Sequence, residues 1–407
     1  MTDFVKRIFQ TTDRTSRWII WTIGFMAFLD VYAMQSVLPL VMKDLLVSPV
    51  EAGETVGATV LAIALVAPFI GMLSDVIGRK GLICTSLFAL SVPTALIPLS
   101  HSLQTLLILR FTQGLAVPGI VVVIIAYIGE EFGSTGVARM TSTYVGGTVM
   151  GGFMGRFITG HAGHWFGWRG AFFLLAGINL LGTVIVYLGL PESRHFAPNK
   201  DVGASLRVLK QHLKNPGLLA VCGMGFCVLF SLVGAFTYVN LHLSMAPFNL
   251  STAGLANIFC VYLLGVVATP LAGRYIARYG FLRSVLVSLF VSSMGLVTTL
   301  LPSLTAVVAG LAVCACGVFI CQSATIGHLA VSVTEGRSLA TGIYYMAYYA
   351  GGASGSLIAG IAYEANAWLG SVLAIVLFQL IAAGIAWFFL RPAGVFTPAQ
   401  QPNAYWD

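Results

Sequence analysis

Charge is what this chain has least of. Only 9% of its 407 residues are Asp, Glu, Lys or Arg, against roughly 25% in soluble domains. With 58% hydrophobic residues and a mean hydropathy of +0.91, the composition excludes a water-soluble fold and points to the bilayer. Constellations that carry chemistry are missing as well. No apolar run holds a Ser/His/Asp set, and no Gly-rich phosphate loop is followed by Lys-Ser/Thr, which excludes a hydrolase of that kind and an ATP-driven pump. The seven cysteines (Cys84, Cys222, Cys227, Cys260, Cys314, Cys316 and Cys321) all sit in apolar segments, where free Cys packs as a small hydrophobe. Cys314-x-Cys316-x4-Cys321 has no His or carboxylate beside it in a zinc-site pattern. Neither a metal nor a cofactor is expected.

What is present is a series of long apolar runs. A spanning helix needs about 20 mostly apolar residues. Twelve candidates meet that length, near 18–42, 54–74, 82–99, 103–129, 138–160, 170–190, 218–242, 253–273, 284–301, 304–330, 338–361 and 368–390. The expected class is an all-α membrane protein with two pseudo-symmetric six-helix bundles. The expected divisions are a leader at 1–17, a first bundle at 18–190, a linker at 191–217, a second bundle at 218–390 and a tail at 391–407. Within the linker, Leu206, Leu209 and Leu213 fall on one face of a short surface helix. The first span contains Asp30 and follows a basic leader, so it does not read as a cleaved signal peptide.

The cations set the expected orientation. Of 21 Lys and Arg residues, only Lys43 and Arg169 fall on one side, and Arg110 and Arg156 fall inside spans. All the others gather on the side of the termini, which the positive-inside rule places in the cytoplasm. The formal net charge of +7 follows from this bias and is not a nucleic-acid footprint.

Two sequence echoes indicate duplication. Pro68-x-x-Gly71 with Gly78 recurs 202 residues later as Pro270-x-x-Gly273 with Gly280. Gly151-Gly152-x-x-Gly155-x4-Gly160 recurs 200 residues later as Gly351-Gly352-x-x-Gly355-x4-Gly360. Small residues at this spacing let helices approach closely. Duplicated halves with a site between them describe a carrier that rocks.

With those residues in view, the chain resembles the major facilitator superfamily over essentially its whole length. Gly71-x3-Asp75-x2-Gly78-Arg79-Lys80 is similar to that family's signature between its second and third helices, and Arg110-x2-Gln113-Gly114 to its fourth-helix motif. The fifth-span glycines resemble those of proton-coupled exporters. Met150-Gly151 stands where the customary Gly-Pro pair falls, which weakens an antiporter assignment. Gly152-x2-Gly155-Arg156-x3-Gly160 and Leu190-Pro191-Glu192-Ser193-Arg194-His195-Phe196 look like the YnfM-like branch of bacterial inner-membrane carriers.

The resemblance implies roles for particular residues. Gly71, Asp75, Gly78, Arg79 and Arg139 form a gate, with Asp75 latching helix-end N–H groups or a cation across the halves. In the second half Ala277 aligns with Asp75, so that latch is degraded. Asp30 is the one carboxylate near the middle of a span, and an ionisable group at that depth faces a cavity or a partner. Arg110 is within reach of it. Asp30 and Arg110 are therefore the expected proton-coupling pair, burial disfavouring the carboxylate and the cation favouring it. The alternative is a static pair that only fixes the bundle. Arg156 either snorkels outward and bonds backbone carbonyls, or draws an anion into the cavity.

Cavity candidates from the first, fourth, seventh and tenth spans are Trp21, Phe25, Tyr32, Gln35, Gln113, Tyr127, Phe236, Tyr238, Asn240, Gln322 and His328, with Arg156 from the fifth. That mixture suits a small amphipathic molecule. The expected function is proton-coupled export of such a compound by alternating access, in an inner-membrane monomer with both termini cytoplasmic. Its partners are the solute, protons and the bilayer, without nucleic acid. A uniporter or uptake carrier and a lipid or lysolipid flippase are the alternatives.

Overall fold

A computed structural model describes residues 2–132, 134–193, 211–332 and 337–390. Arg194, Lys200, Leu206 and Leu209 lie outside this set, as does the tail 391–407. The chain is a bundle of α1 (Thr2–Leu29), α2 (Leu38–Leu45), α3 (Pro49–Ile77), α4 (Arg79–Leu96), α5 (Leu103–Glu131) and α6 (Ser134–Gly189), followed by α7 (Pro216–Ser244), α8 (Thr252–Ile258), α9 (Val261–Tyr279), α10 (Phe281–Thr298), α11 (Leu304–Ser332) and α12 (Arg337–Phe389). Eight of the described helices are long and apolar enough to cross a membrane, or nine if the bent pair 16–29 and 33–45 counts as one span.

The helix ends are written in the sequence. Ser48 and Glu51 form a reciprocal capping box at the start of α3, with Pro49 in its first turn. The side chains of Ser102, Asn215 and Ser251 cap α5, α7 and α8 by accepting from first-turn N–H groups. Gly78 and Gly280 break the chain between α3 and α4 and between α9 and α10, at φ 99° and 79°. Side chains rarely adopt that backbone, so the same turn recurs with the spacing the sequence showed.

Several spans depart from the simple rods expected from hydropathy. The first is broken: residues 30–32 are a turn, Ala33–Val37 form a 3-10 segment, and the flanking helices bend by 47°. The expected span 253–273 is split between α8 and α9. The fifth runs past 160 as far as Gly167, where φ 70° interrupts α6. The eleventh likewise runs on to Asn366 and Ala367, which interrupt α12.

The repeated glycines bear out the close-packing reading. A Cβ at Gly151 or Gly155 would strike the carbonyl of Phe25 or Leu29 on α1. A Cβ at Gly351 or Gly355 would strike that of Phe226 or Phe230 on α7. The same helix pair is thus built twice, backbone against backbone.

Several hydrogen bonds join the two halves among the described residues. The backbone N–H of Val50 donates to Glu364 Oε1 (3.1 Å), so an acid from α12 caps the first turn of α3. His161 and Asn257 share a hydrogen bond of 3.0 Å, and Gln35 Nε2 donates to Thr237 Oγ1 at 2.9 Å. Within the first half, Arg169 pairs with Asp44 and donates to the Ser100 carbonyl at 3.0 Å.

Candidate functional site

The break in the first span creates the site. Interrupting a helix at depth strands backbone carbonyls that no water reaches, and each must find another donor. Arg110 on α5 supplies it. Its Nη1 donates to the Asp30 carbonyl (3.0 Å) and its Nη2 to the Val31 carbonyl (2.8 Å). Its Nε reaches the Thr55 carbonyl at 2.9 Å, and Nη1 also reaches Gln113 Oε1 at 2.6 Å. Gln113 passes the network on, donating to Thr94 Oγ1 at 2.7 Å. Arg110, Gln113 and Thr94 are fully buried.

The expected carboxylate–guanidinium pair is therefore not formed in this state. Arg110 grips the backbone of Asp30, and the Asp30 side chain turns to Asn179, whose Nδ2 donates to Oδ2 at 2.5 Å. Asp30 Oδ1 is buried without a hydrogen bond. Asn179 was not singled out by sequence. An amide in the otherwise apolar sixth span was the available signal.

A second buried cation lies on the other side of the same break. Arg156 is 3% exposed, and α6 continues beyond it to the interruption at Gly167, about 16 Å further along at 1.5 Å per residue. Bonding to a backbone carbonyl is found. Nε donates to Gln35 Oε1 (2.7 Å) and Nη1 to the Gly152 carbonyl (2.6 Å). The guanidinium carbon stands 4.6 Å from the Tyr32 ring, 4.9 Å from Phe259 and 4.6 Å from Tyr262. Phe259 and Tyr262 flank the α8–α9 break, so the cage is closed by both halves. Sequence reading found Tyr32, Gln35 and Arg156. It missed Phe259, Tyr262 and Thr237, because nothing local marks a contact made across the halves.

The tyrosines of α12 extend this region. Tyr348 and Tyr349 are buried and their rings meet edge-on, and Gln322 Nε2 donates to the Tyr348 hydroxyl at 2.9 Å. The remaining cavity candidates make the following contacts. Phe236 abuts Tyr262 at 4.4 Å. Tyr238 donates to the Ser356 carbonyl and presses on Gly53 and Gly360. Asn240 Nδ2 bonds its own helix at the Phe236 carbonyl, leaving Oδ1 buried and unbonded. Phe25 stacks on Trp21 at 5.2 Å. Tyr127 holds the Pro191 carbonyl at 3.2 Å, and His328 packs edge-on against Phe281.

At the Gly78 end, Arg79 is buried and bonds Glu130 through Nη2 at 2.6 Å and through Nε, with Nη1 on Ser74. Lys80 pairs with Glu192 at 3.1 Å. These pairs stay within the first half. Gly71 and Asp75 fall in the last turns of α3, and the Asp75 side chain lies outside the described residues. Arg139 is exposed near the start of α6. No group of three or more potential metal ligands occurs among the described residues.

Comparison with known proteins agrees with this architecture. The Major Facilitator Superfamily profile matches residues 20–335. An uncharacterized MFS-type transporter of Bacillus subtilis (strain 168), YybF, is 29% identical over 369 residues, covering 90% of this chain and 91% of its own length. The inner membrane transport protein YnfM of Escherichia coli (strain K12) is 30% identical over 262 residues, covering 64% of this chain and 63% of its own. Among solved structures, a bacterial homolog of the human lysosomal transporter Spinster, inward-facing and unoccupied, superposes with a TM-score of 0.78 at 17% identity, covering 93% of this chain and 97% of that one.

Proposed function

The chain belongs to the major facilitator superfamily and is a multi-pass membrane transporter, not an enzyme, and on that premise we propose that it exports a small amphipathic organic compound in exchange for protons. Counting the two parts of α6 and of α12 separately, and joining α1 to α2 and α8 to α9, gives twelve crossings in two bundles. The cation distribution supports termini in the cytoplasm of a bacterial inner membrane. In that orientation, the hydrogen bonds from Val50, His161 and Gln35 to the second half close the outer side.

The observation that carries proton coupling is the state of Asp30. A carboxyl at the break of a helix, held by one amide and otherwise unbonded, is inexpensive to keep protonated and costly to ionise in place. Beside it, Arg110 is committed to carbonyls that exist only because the helix is broken. Rocking that straightens or shifts this break frees the guanidinium to approach the carboxylate. The acid then ionises and releases its proton, and the reverse motion reloads it. Asp75, with Gly71, Gly78, Arg79 and Arg139, gates the inner side in this cycle. The protein acts as a monomer.

The test is proton movement in everted membrane vesicles that carry the protein. With an imposed pH gradient read by a quenched acridine dye, a transported solute dissipates the gradient in the wild type and not in Asp30→Asn. Equal dissipation by both proteins overturns the coupling role, and solute uptake indifferent to the gradient favours a uniporter.

A further inference from the structure

The two buried arginines differ in what remains free on them. A guanidinium carries five N–H donors and has to place them where water is absent. Arg156 places one on Gln35 Oε1 and one on the Gly152 carbonyl. Its Nη2 makes no hydrogen bond among the described residues, and neither does the second hydrogen of Nη1. No carboxylate pairs with it there, although an uncompensated buried charge costs several kcal/mol. The rings of Tyr32, Phe259 and Tyr262 offset part of that cost, at about 0.5–2 kcal/mol for each cation–π contact. Rings stabilise the faces of the guanidinium and cannot accept its in-plane hydrogens.

We propose that the open Nη1/Nη2 edge of Arg156 is the cargo site, and that the cargo carries one anionic group of carboxylate geometry on an aromatic or apolar body. This rests on the transporter reading above and names its substrate class. Two parallel N–H···O bonds from a guanidinium edge match a carboxylate, which supplies the missing countercharge. The rings that flank the cation accept the body of the same molecule. Because Gln35 and Tyr32 belong to the first half and Phe259 and Tyr262 to the second, an anion bound here touches both halves. Its binding therefore biases the rocking equilibrium. A dianionic solute does not fit, since the cage offers a single cation.

The experiment is equilibrium thermal stabilisation of purified protein in nanodiscs, with no proton gradient. The probes are mono- and bicyclic aromatic bodies, each presented as carboxylate, primary carboxamide and methylamine. The wild type is expected to be stabilised by carboxylates with apparent affinity at least about tenfold above the matching amide, as a charged bidentate contact implies. Arg156→Gln abolishes that preference, and Arg156→Lys weakens it by about tenfold through loss of the fork. Carboxylate and amide acting alike on the wild type, or a preference for the amines, overturns the proposal whether or not the Arg156 variants fold. Carboxylate selectivity that Arg156→Gln retains overturns it too. Selective binding that persists while vesicles show no proton exchange refutes only the coupling mechanism.

Discussion

Arg110 and Arg156 stand on either side of one helix break, both buried, and they are used in different ways. Arg110 has its Nε, Nη1 and Nη2 all engaged, on the carbonyls of Thr55, Asp30 and Val31 and on Gln113. Its contacts lie within the first half. Arg156 spends two donors, is enclosed by rings from both halves and keeps one edge open. A nearly saturated cation, with four of its five donors filled, holds a backbone in an unusual shape. An unsaturated one at a seam between moving bodies is suited to recognise a ligand. Burial alone does not distinguish them. The count of filled donors does.

The comparison breaks most visibly at Arg110. Arg110→Gln leaves the Val31 carbonyl without its donor and the Asp30 carbonyl with only the Ala33 N–H, and removing one partner from a buried charged network costs about 3–5 kcal/mol. Thermal unfolding in detergent is expected to show a large loss of stability, with Arg156→Gln far milder. Equal destabilisation by the two would erase the distinction. The glycine seams come next. Gly155→Ala and Gly355→Ala each push a methyl into a facing carbonyl, an overpacking cost of about 1–3 kcal/mol. Gly155 is the tighter of the two, so unfolding should show the first half suffering more. The smallest effect is at the Gly78 end. Glu130 is 27% exposed in its pair with Arg79, and Glu130→Gln is expected to cost about 0.5–1 kcal/mol, a value suited to a partly solvated pair. A shift as large as that of Arg110→Gln would mean this pair is part of the core.

The sequence disclosed the repeat and the turn chemistry because both are local. Glycine at a left-handed turn and glycine at a helix crossing are demanded by sterics that act residue by residue, so Gly78, Gly280, Gly151 and Gly351 could be read directly. The break at Asp30 could not. Residues 30–38 contain neither Gly nor Pro, and the broken shape is tolerated because Arg110, distant in sequence, satisfies the exposed carbonyls. The length of helix beyond Arg156 was not legible for a related reason. The apolar pattern fades near Gly160, yet the helix runs on to Gly167, and Arg156 is buried within the bundle. Asp30 and Arg110 were rightly brought together, but through a backbone carbonyl instead of a side chain. Periodicity specifies which residues are buried. It does not specify which atom of a neighbour a buried donor will choose.

The most direct test separates exchange from uphill transport in one set of proteoliposomes. With a solute from the carboxylate panel, counterflow without a pH gradient needs binding and rocking but no net proton movement, whereas accumulation against a gradient needs the proton step. Asp30→Asn is expected to keep counterflow and lose gradient-driven accumulation. Accumulation by that variant at the wild-type rate would contradict the account.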